Sequence, residues 1–246
     1  MIPILTSIDL KHVASEDNSC YPFNLPWIKQ FTKITFDAPI TFLIGENGKG
    51  KSTLLEATAV SLGFNAEGGS KNFGFSTQIT HSDLHKYLRI ARSKPISAAS
   101  FFFRSESFYN FASEIDKLDA EPAGSPFIKD SYGGKSLHNQ SRGESILALV
   151  MHRFNSSGLY LLDEPEAGLS LQSQIAFMLR IQALASEGAQ FIIATHSPFL
   201  LSLAGAKIFT FDTVQITSIE YKDTTQYILA KRLINDIRFI DNNQNI

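Results

Sequence analysis

One stretch constrains the fold of this chain more than any other: Ile40-Thr41-Phe42-Leu43-Ile44, then Gly45-Glu46-Asn47-Gly48-Lys49-Gly50-Lys51-Ser52-Thr53, then a helix-period run to Leu62. The apolar run reads as a buried strand, and Gly45-x-x-x-x-Gly50-Lys51-Ser52 between strand and amphipathic helix has the spacing of a phosphate-binding loop. Glycines at 45, 48 and 50 let the backbone curl until its N–H groups point inward at phosphate oxygens, and the helix adds the positive end of its dipole. Lys51 is then expected to reach the β- and γ-phosphates and Ser52 to ligate Mg²⁺, with the whole run Gly45 to Thr53 contacting the bound group.

Further short apolar runs recur at 33–36, 101–103, 159–162 and 191–194. Helix-period stretches lie at Ser52 to Leu62, Glu144 to Phe154 and Leu171 to Leu184, each long enough to cross over a sheet. Strands alternating with helices predict an α/β fold with parallel strands. KIFTFD and VQITSIEY after Gly205 predict a strand pair, followed by a helix around Thr225 to Ile234. The stretch from Asn65 to Lys94 breaks the rhythm and reads as an inserted loop or subdomain with a basic helical segment at its end. Asp119 to Asn139 reads as a functional loop.

Leu159-Tyr160-Leu161-Leu162 ends in Asp163-Glu164, which in a parallel sheet sets two carboxylates at the carboxyl end, where ligands bind. Asp163 is placed to hold Mg²⁺ and Glu164 to orient or deprotonate the water that attacks the γ-phosphorus.

The 246 residues carry 22 Lys plus Arg against 24 Asp plus Glu, a net charge of -2, so a globally basic nucleic-acid binder is excluded and only a local basic face remains open. With Cys20 as the single cysteine, neither an intramolecular disulfide nor a cysteine-based four-ligand zinc site can form. No apolar run reaches the length of a membrane span and no secretory leader is visible, so a cytoplasmic protein without direct membrane insertion is expected.

Three more motifs stand in the order of the ATP-binding-cassette (ABC) type of P-loop ATPase, which the chain resembles over most of its length. Gln140-Ser141-Arg142-Gly143-Glu144 resembles the family's Leu-Ser-Gly-Gly-Gln signature, Ala167-Gly168-Leu169-Ser170 its D-loop, and Ala194-Thr195-His196-Ser197 its switch-histidine motif. The resemblance implies one ABC-type domain over residues 1–246, with a mostly parallel core sheet, an antiparallel β part and a helical subdomain carrying the signature. It implies ATP and Mg²⁺ as ligands, ATP hydrolysis as the activity, and Lys51, Glu164 and His196 as its catalytic residues. It also implies a head-to-tail dimer with a second copy of the chain, in which Ser141, Gly143 and Glu144 meet the nucleotide held by the partner. Ser141-x-x-Glu144 is at the same time a capping box, and the two readings are compatible.

The chain departs from the family pattern after the strand at 101–103, where a glutamine is usual and Arg104-Ser105-Glu106 stands instead. Gln78 or Glu106 is left to take its place. The adenine-stacking residue is likewise open among Tyr21, Phe23 and Trp27. No heptad run separates Lys51 from Ser141, so coiled-coil arms are absent. The pieces look most like small stand-alone bacterial ATPases near the RecF/OLD side of the family. That implies a soluble ATP-driven switch acting on DNA or a partner protein. The alternative is the motor subunit of an ABC transporter whose membrane spans lie on another chain. For DNA the cue is the basic run from His85 to Lys94, whose Lys86, Arg89 and Arg92 either track phosphates or form a solvated helix face.

Overall fold

The computed structural model describes residues 2–11, 20–71, 82–120 and 127–235. Its centre is a six-stranded sheet in the order β5(Phe101–Arg104), β6(Leu159–Asp163), β7(Gln190–Ala194), β3(Ile40–Ile44), β8(Lys207–Thr210), β9(Thr217–Ser218). All neighbours run parallel except β8 and β9, which pair antiparallel as a short hairpin. A second sheet, β2(Lys33–Thr35), β1(Leu5–Leu10), β4(Leu88–Arg92), is wholly antiparallel.

The central strands are apolar without alternation because both faces are covered, as expected of a parallel sheet. Their residues divide by period two. Phe42, Phe101, Phe103, Tyr160, Leu162, Phe191 and Ile193 enter one core with α3(Phe108–Ala120), α4(Arg142–Ala148) and α5(Leu171–Glu187). Leu43, Phe102, Leu159, Leu161 and Ile192 enter the other with α1(Lys51–Ser61) and the antiparallel sheet. Gln190 joins the two sheets: its buried amide accepts from Leu5 N–H at 2.8 Å and donates to Leu5 C=O at 2.9 Å.

Three expectations are corrected. The helix after the phosphate loop is not amphipathic: eight of the eleven residues of α1 are buried, because it lies between the two layers. The stretch from Asn65 to Lys94 is no simple insertion, since β4 pairs with β1 along its length. The basic helical segment is a single turn, α2(Leu84–Tyr87), followed by that strand. On a helix, Arg89 and Arg92 share a face at i, i+3, whereas on a strand positions three apart point to opposite sides. Arg92 accordingly lines a groove with Leu88 and Ile90, while Arg89 lies 3.7 Å from Asp9. The single basic face does not form. α4 continues past Ala148 as one wide π-type turn, Leu149–Arg153, and α6(Thr225–Asn235) closes the described chain.

Candidate active site

The carboxyl ends of β3, β6 and β7 converge where the phosphate loop opens α1. Gly50 sits at φ 88° as the residue before α1, and a Cβ there would stand 2.7 Å from Leu25 Cδ1 and 3.0 Å from Trp27 Nε1. Both the left-handed backbone and the close approach require glycine. Trp27 Nε1 also donates to Lys49 C=O at 2.8 Å, so the buried indole props the loop from beneath.

Lys51 is buried and donates to its own loop, to Gly45 C=O at 2.6 Å and Glu46 C=O at 3.0 Å. Burial lowers its pKa, opposed by the carboxylates of Glu164, Asp163, Asp212 and Glu166. The Ser52 hydroxyl donates to Asp163 Oδ1 at 2.8 Å. Burial drives the Asp163 pKa up to about 6, with the Ser52 hydrogen bond opposing and Glu164 reinforcing.

A hydroxyl and a carboxylate side by side, the carboxylate buried among further acids, are the hard oxygen donors a divalent cation takes. The residues fit Mg²⁺, for which Ser52 and Asp163 would be the protein donors. Bound there, the ion would neutralise charge developing on phosphate oxygens.

Glu164 has φ 49°, in the left-handed region that non-glycine residues seldom adopt, and is pinned by its N–H to Ala194 C=O at 2.9 Å. Its Oε1 stands 3.7 Å from His196 Nε2. A cavity of about 380 Å³ opens over the loop, lined by Asn47, Gly48, Gly50, Lys51, Ser52, Thr53 and Glu164, with Tyr21 and Glu106 at its edge. The phosphate-binding loop, Ser52 and a candidate base thus share one cavity, with Asp163 reached through its hydrogen bond from Ser52.

The signature residues lie elsewhere. Ser141 caps α4 in a complete capping box: its hydroxyl accepts from Glu144 N–H at 3.3 Å, and Glu144 Oε2 accepts from Ser141 N–H at 2.8 Å. Ser141, Gly143 and Glu144 do not line the loop cavity. A Cβ on Gly143 would stand 2.8 Å from Gly168 C=O, so the helix start packs backbone to backbone on the D-loop. Arg142, where the signature has glycine, donates through Nη2 to Ser105 C=O at 2.7 Å and also meets the Ser105 hydroxyl.

Two family models match the chain, one described as "AAA domain" over residues 23–130 and one as "AAA domain, putative AbiEii toxin, Type IV TA system" over residues 127–202. A protein of Caldanaerobacter subterraneus subsp. tengcongensis named "Putative ABC transporter ATP-binding protein" is 28% identical over 218 residues, covering 82% of this chain and 87% of its own. A solved structure titled "An inward-facing conformation of a putative metal-chelate type ABC transporter" shares the fold with a TM-score of 0.50 at 17% identity, over 94% of this chain and 88% of the other. The chain is thus similar to ABC-type P-loop ATPases in fold and in sequence. No helix among its described residues is long and apolar enough to cross a membrane.

Around the site stand residues that the sequence left open, and one, Asp212, that it did not single out. Tyr21 shares a 2.6 Å hydrogen bond with the Thr53 hydroxyl at the cavity mouth, whereas Phe23 and Trp27 are core residues. Asp212, just past β8, accepts Glu46 N–H at 2.8 Å and anchors the loop's outer side. Arg104 turns onto buried Glu56 at 2.7 Å, while Glu106 reaches the cavity edge; Gln78 lies outside the described residues.

Asp163 yields a stability prediction for the nucleotide-free protein. Its folded pKa is raised above the unfolded value, so the folded state holds the proton more tightly and stability falls as pH climbs from about 4 through about 6. Removing that ionisation is worth up to about 3 kcal/mol above this range. Asp163→Asn is therefore expected to raise the thermal midpoint at pH 8 and leave it unchanged at pH 4, measured without Mg²⁺ or nucleotide. An equal or lower midpoint at pH 8 contradicts the assignment.

Proposed function

We propose that the chain is an ATP-driven switch in which Mg-ATP is held by Gly45 to Thr53 with Ser52 and Asp163 as metal donors, and that two copies close on it head to tail. The observation that carries the reading is the separation of the signature from the loop cavity within one copy. Ser141 and the exposed start of α4 are formed and capped, yet they do not line the cavity that Lys51 and Glu164 share. A second copy brings its α4 N-terminus, with the Gly143 N–H and the positive helix end, onto the γ-phosphate.

In this reading Lys51 leaves its own loop carbonyls for the β- and γ-phosphates. Glu164 accepts a proton from the attacking water, and His196, 3.7 Å from Glu164, donates a hydrogen bond to the γ-phosphate. Hydrolysis removes the group that bridges the copies, and they separate.

A mixing experiment tests the trans arrangement. Lys51→Ala empties one site but keeps the signature. Ser141→Asp keeps a helix cap but sets a carboxylate against the partner's γ-phosphate. Each variant alone is expected to be inactive, and their mixture to regain ATPase activity because a hybrid dimer holds one intact site. A mixture no more active than its components contradicts the sandwich.

For the biological setting we favour a soluble switch acting on a partner protein, supported by the toxin–antitoxin description of the family matched over the signature, D-loop and switch region. The DNA reading loses its cue with the division of Arg89 and Arg92 between two faces. The transporter-motor reading rests on the name of the Caldanaerobacter relative. ATPase rates with and without double-stranded DNA, at fixed salt, separate these settings: DNA stimulation would contradict a protein partner acting alone.

A further inference from the structure

The ring of His196 is not held by its own polar end: Nε2 is buried and makes no hydrogen bond among the described residues. Its main chain is held instead. Glu166 Oε1 accepts the His196 N–H at 2.8 Å and the Thr195 hydroxyl at 2.7 Å, and that hydroxyl in turn accepts Ser197 N–H at 3.0 Å. Thr195 is fully buried, so its hydroxyl, which donates to Glu166 and accepts from Ser197 N–H, joins these bonds in one chain shielded from solvent at its centre.

Glu166 belongs to the same tight turn as Glu164, closed by Ala167 N–H to Glu164 C=O at 3.1 Å. A second tie runs parallel to the first. The Ser197 hydroxyl donates to Gln174 Oε1 at 2.7 Å, and Gln174 Nε2 donates to Leu169 C=O at 3.3 Å. The turn that carries the candidate base therefore also holds the His196 N–H and the Thr195 hydroxyl through Glu166, while α5 holds the Ser197 hydroxyl through Gln174.

We propose that Glu166 is a positioning residue: as the hydrogen-bond acceptor of the Thr195 hydroxyl and the His196 N–H, it sets where the imidazole stands against Glu164 and the γ-phosphate. This rests on the role given to His196 above. Nothing in the role requires the charge of Glu166, since Oε1 receives both bonds and Oε2 is buried without a partner among the described residues. The rival is an electrostatic role, because Glu166 is one of the four acids that support the charge of Lys51.

The test compares Glu166→Ala, Glu166→Gln and His196→Ala in the full chain, reading kcat and KM for Mg-ATP together with the thermal midpoint. Glu166→Ala is expected to lower kcat on the order of 10- to 100-fold, the size of effect that a small misplacement of a reacting group produces, with KM within about twofold of wild type. Glu166→Gln, which keeps the acceptor and loses the charge, is expected to stay within about threefold of wild type in kcat. Should the alanine variant not fold, Glu166→Met keeps the length and removes only the acceptor, and the same loss is expected of it. Glu166→Gln as slow as Glu166→Ala overturns positioning in favour of charge. Wild-type kcat in Glu166→Ala beside a slow His196→Ala overturns the inference while sparing His196. Wild-type kcat in His196→Ala overturns the role of His196 itself, and the positioning role falls with it.

Discussion

Glu164→Gln is expected to lower kcat about 10²- to 10⁴-fold, the range spanned by loss of a general base, while Mg-ATP binding is retained. The amide keeps the volume and the two-carbon reach of the side chain and cannot take a proton from water. The backbone that aims it is unaffected, because φ 49° and the bond from Glu164 N–H to Ala194 C=O depend on the turn and not on the carboxylate. Single-turnover kinetics with a fluorescent ATP analogue separate the two effects. A Glu164→Gln variant that hydrolyses ATP at the wild-type rate would transfer the base to another carboxylate, with Glu106 at the cavity edge the next in reach.

Lys51→Ala is expected to act earlier, on binding as well as on chemistry. Lys51 is the cation at the base of the loop cavity, held by two loop carbonyls and surrounded by Glu164, Asp163, Asp212 and Glu166. Removing it leaves four acids around a site that must accept a triphosphate. A fall in kcat/KM on the order of 10³-fold is expected, comparable to loss of an electrostatic donor to a developing anion. Titration of labelled ATP should show the weakened affinity directly. Unaltered affinity would contradict the placement of the phosphates against Lys51.

The parts of this architecture that could be read from the sequence are those where one physical demand dominates. Strands 40–44, 159–163 and 190–194 are buried on both faces, so the sequence shows short, largely apolar runs at 40–44, 159–162 and 191–194 without polar alternation. The phosphate loop needs glycine at fixed places, and the capping box at Ser141 and Glu144 is local enough to be legible from four residues. Where two demands compete, the reading failed. LTSIDL and LRIAR are strands of a small antiparallel sheet that mix apolar and polar residues, and the basic ones in LRIAR fit a helix face equally well. Only the pairing of β4 with β1 decides between them, and that pairing spans the chain. α1 looked amphipathic because Lys51, Thr53, Glu56 and Thr58 are polar, yet each is buried. Glu56 meets Arg104, and the Thr58 hydroxyl bonds back to Leu54 C=O, which are long-range and local ways of satisfying a buried polar group.

The same distinction runs through the site. Lys51, Ser52, Asp163, Glu164 and His196 announce themselves because their chemistry fixes their type. Asp212 and Glu166 do not, because any acceptor in the right place would serve, and the right place is set by tertiary structure. Arg142 is the clearest case. As a signature residue it is a departure, but its guanidinium ties the start of α4 to Ser105 at the end of β5. The helix that presents Ser141 is thereby coupled to the strand edge beside the cavity.

Closure of two copies on ATP is measured most directly as the mass of the Glu164→Gln protein by light scattering with and without Mg-ATP. A monomer is expected without nucleotide and a mass twice as large with it, reversed when Ser141→Asp is added to the same chain. A mass that is the same with and without Mg-ATP, in a protein shown to bind the nucleotide, would contradict closure.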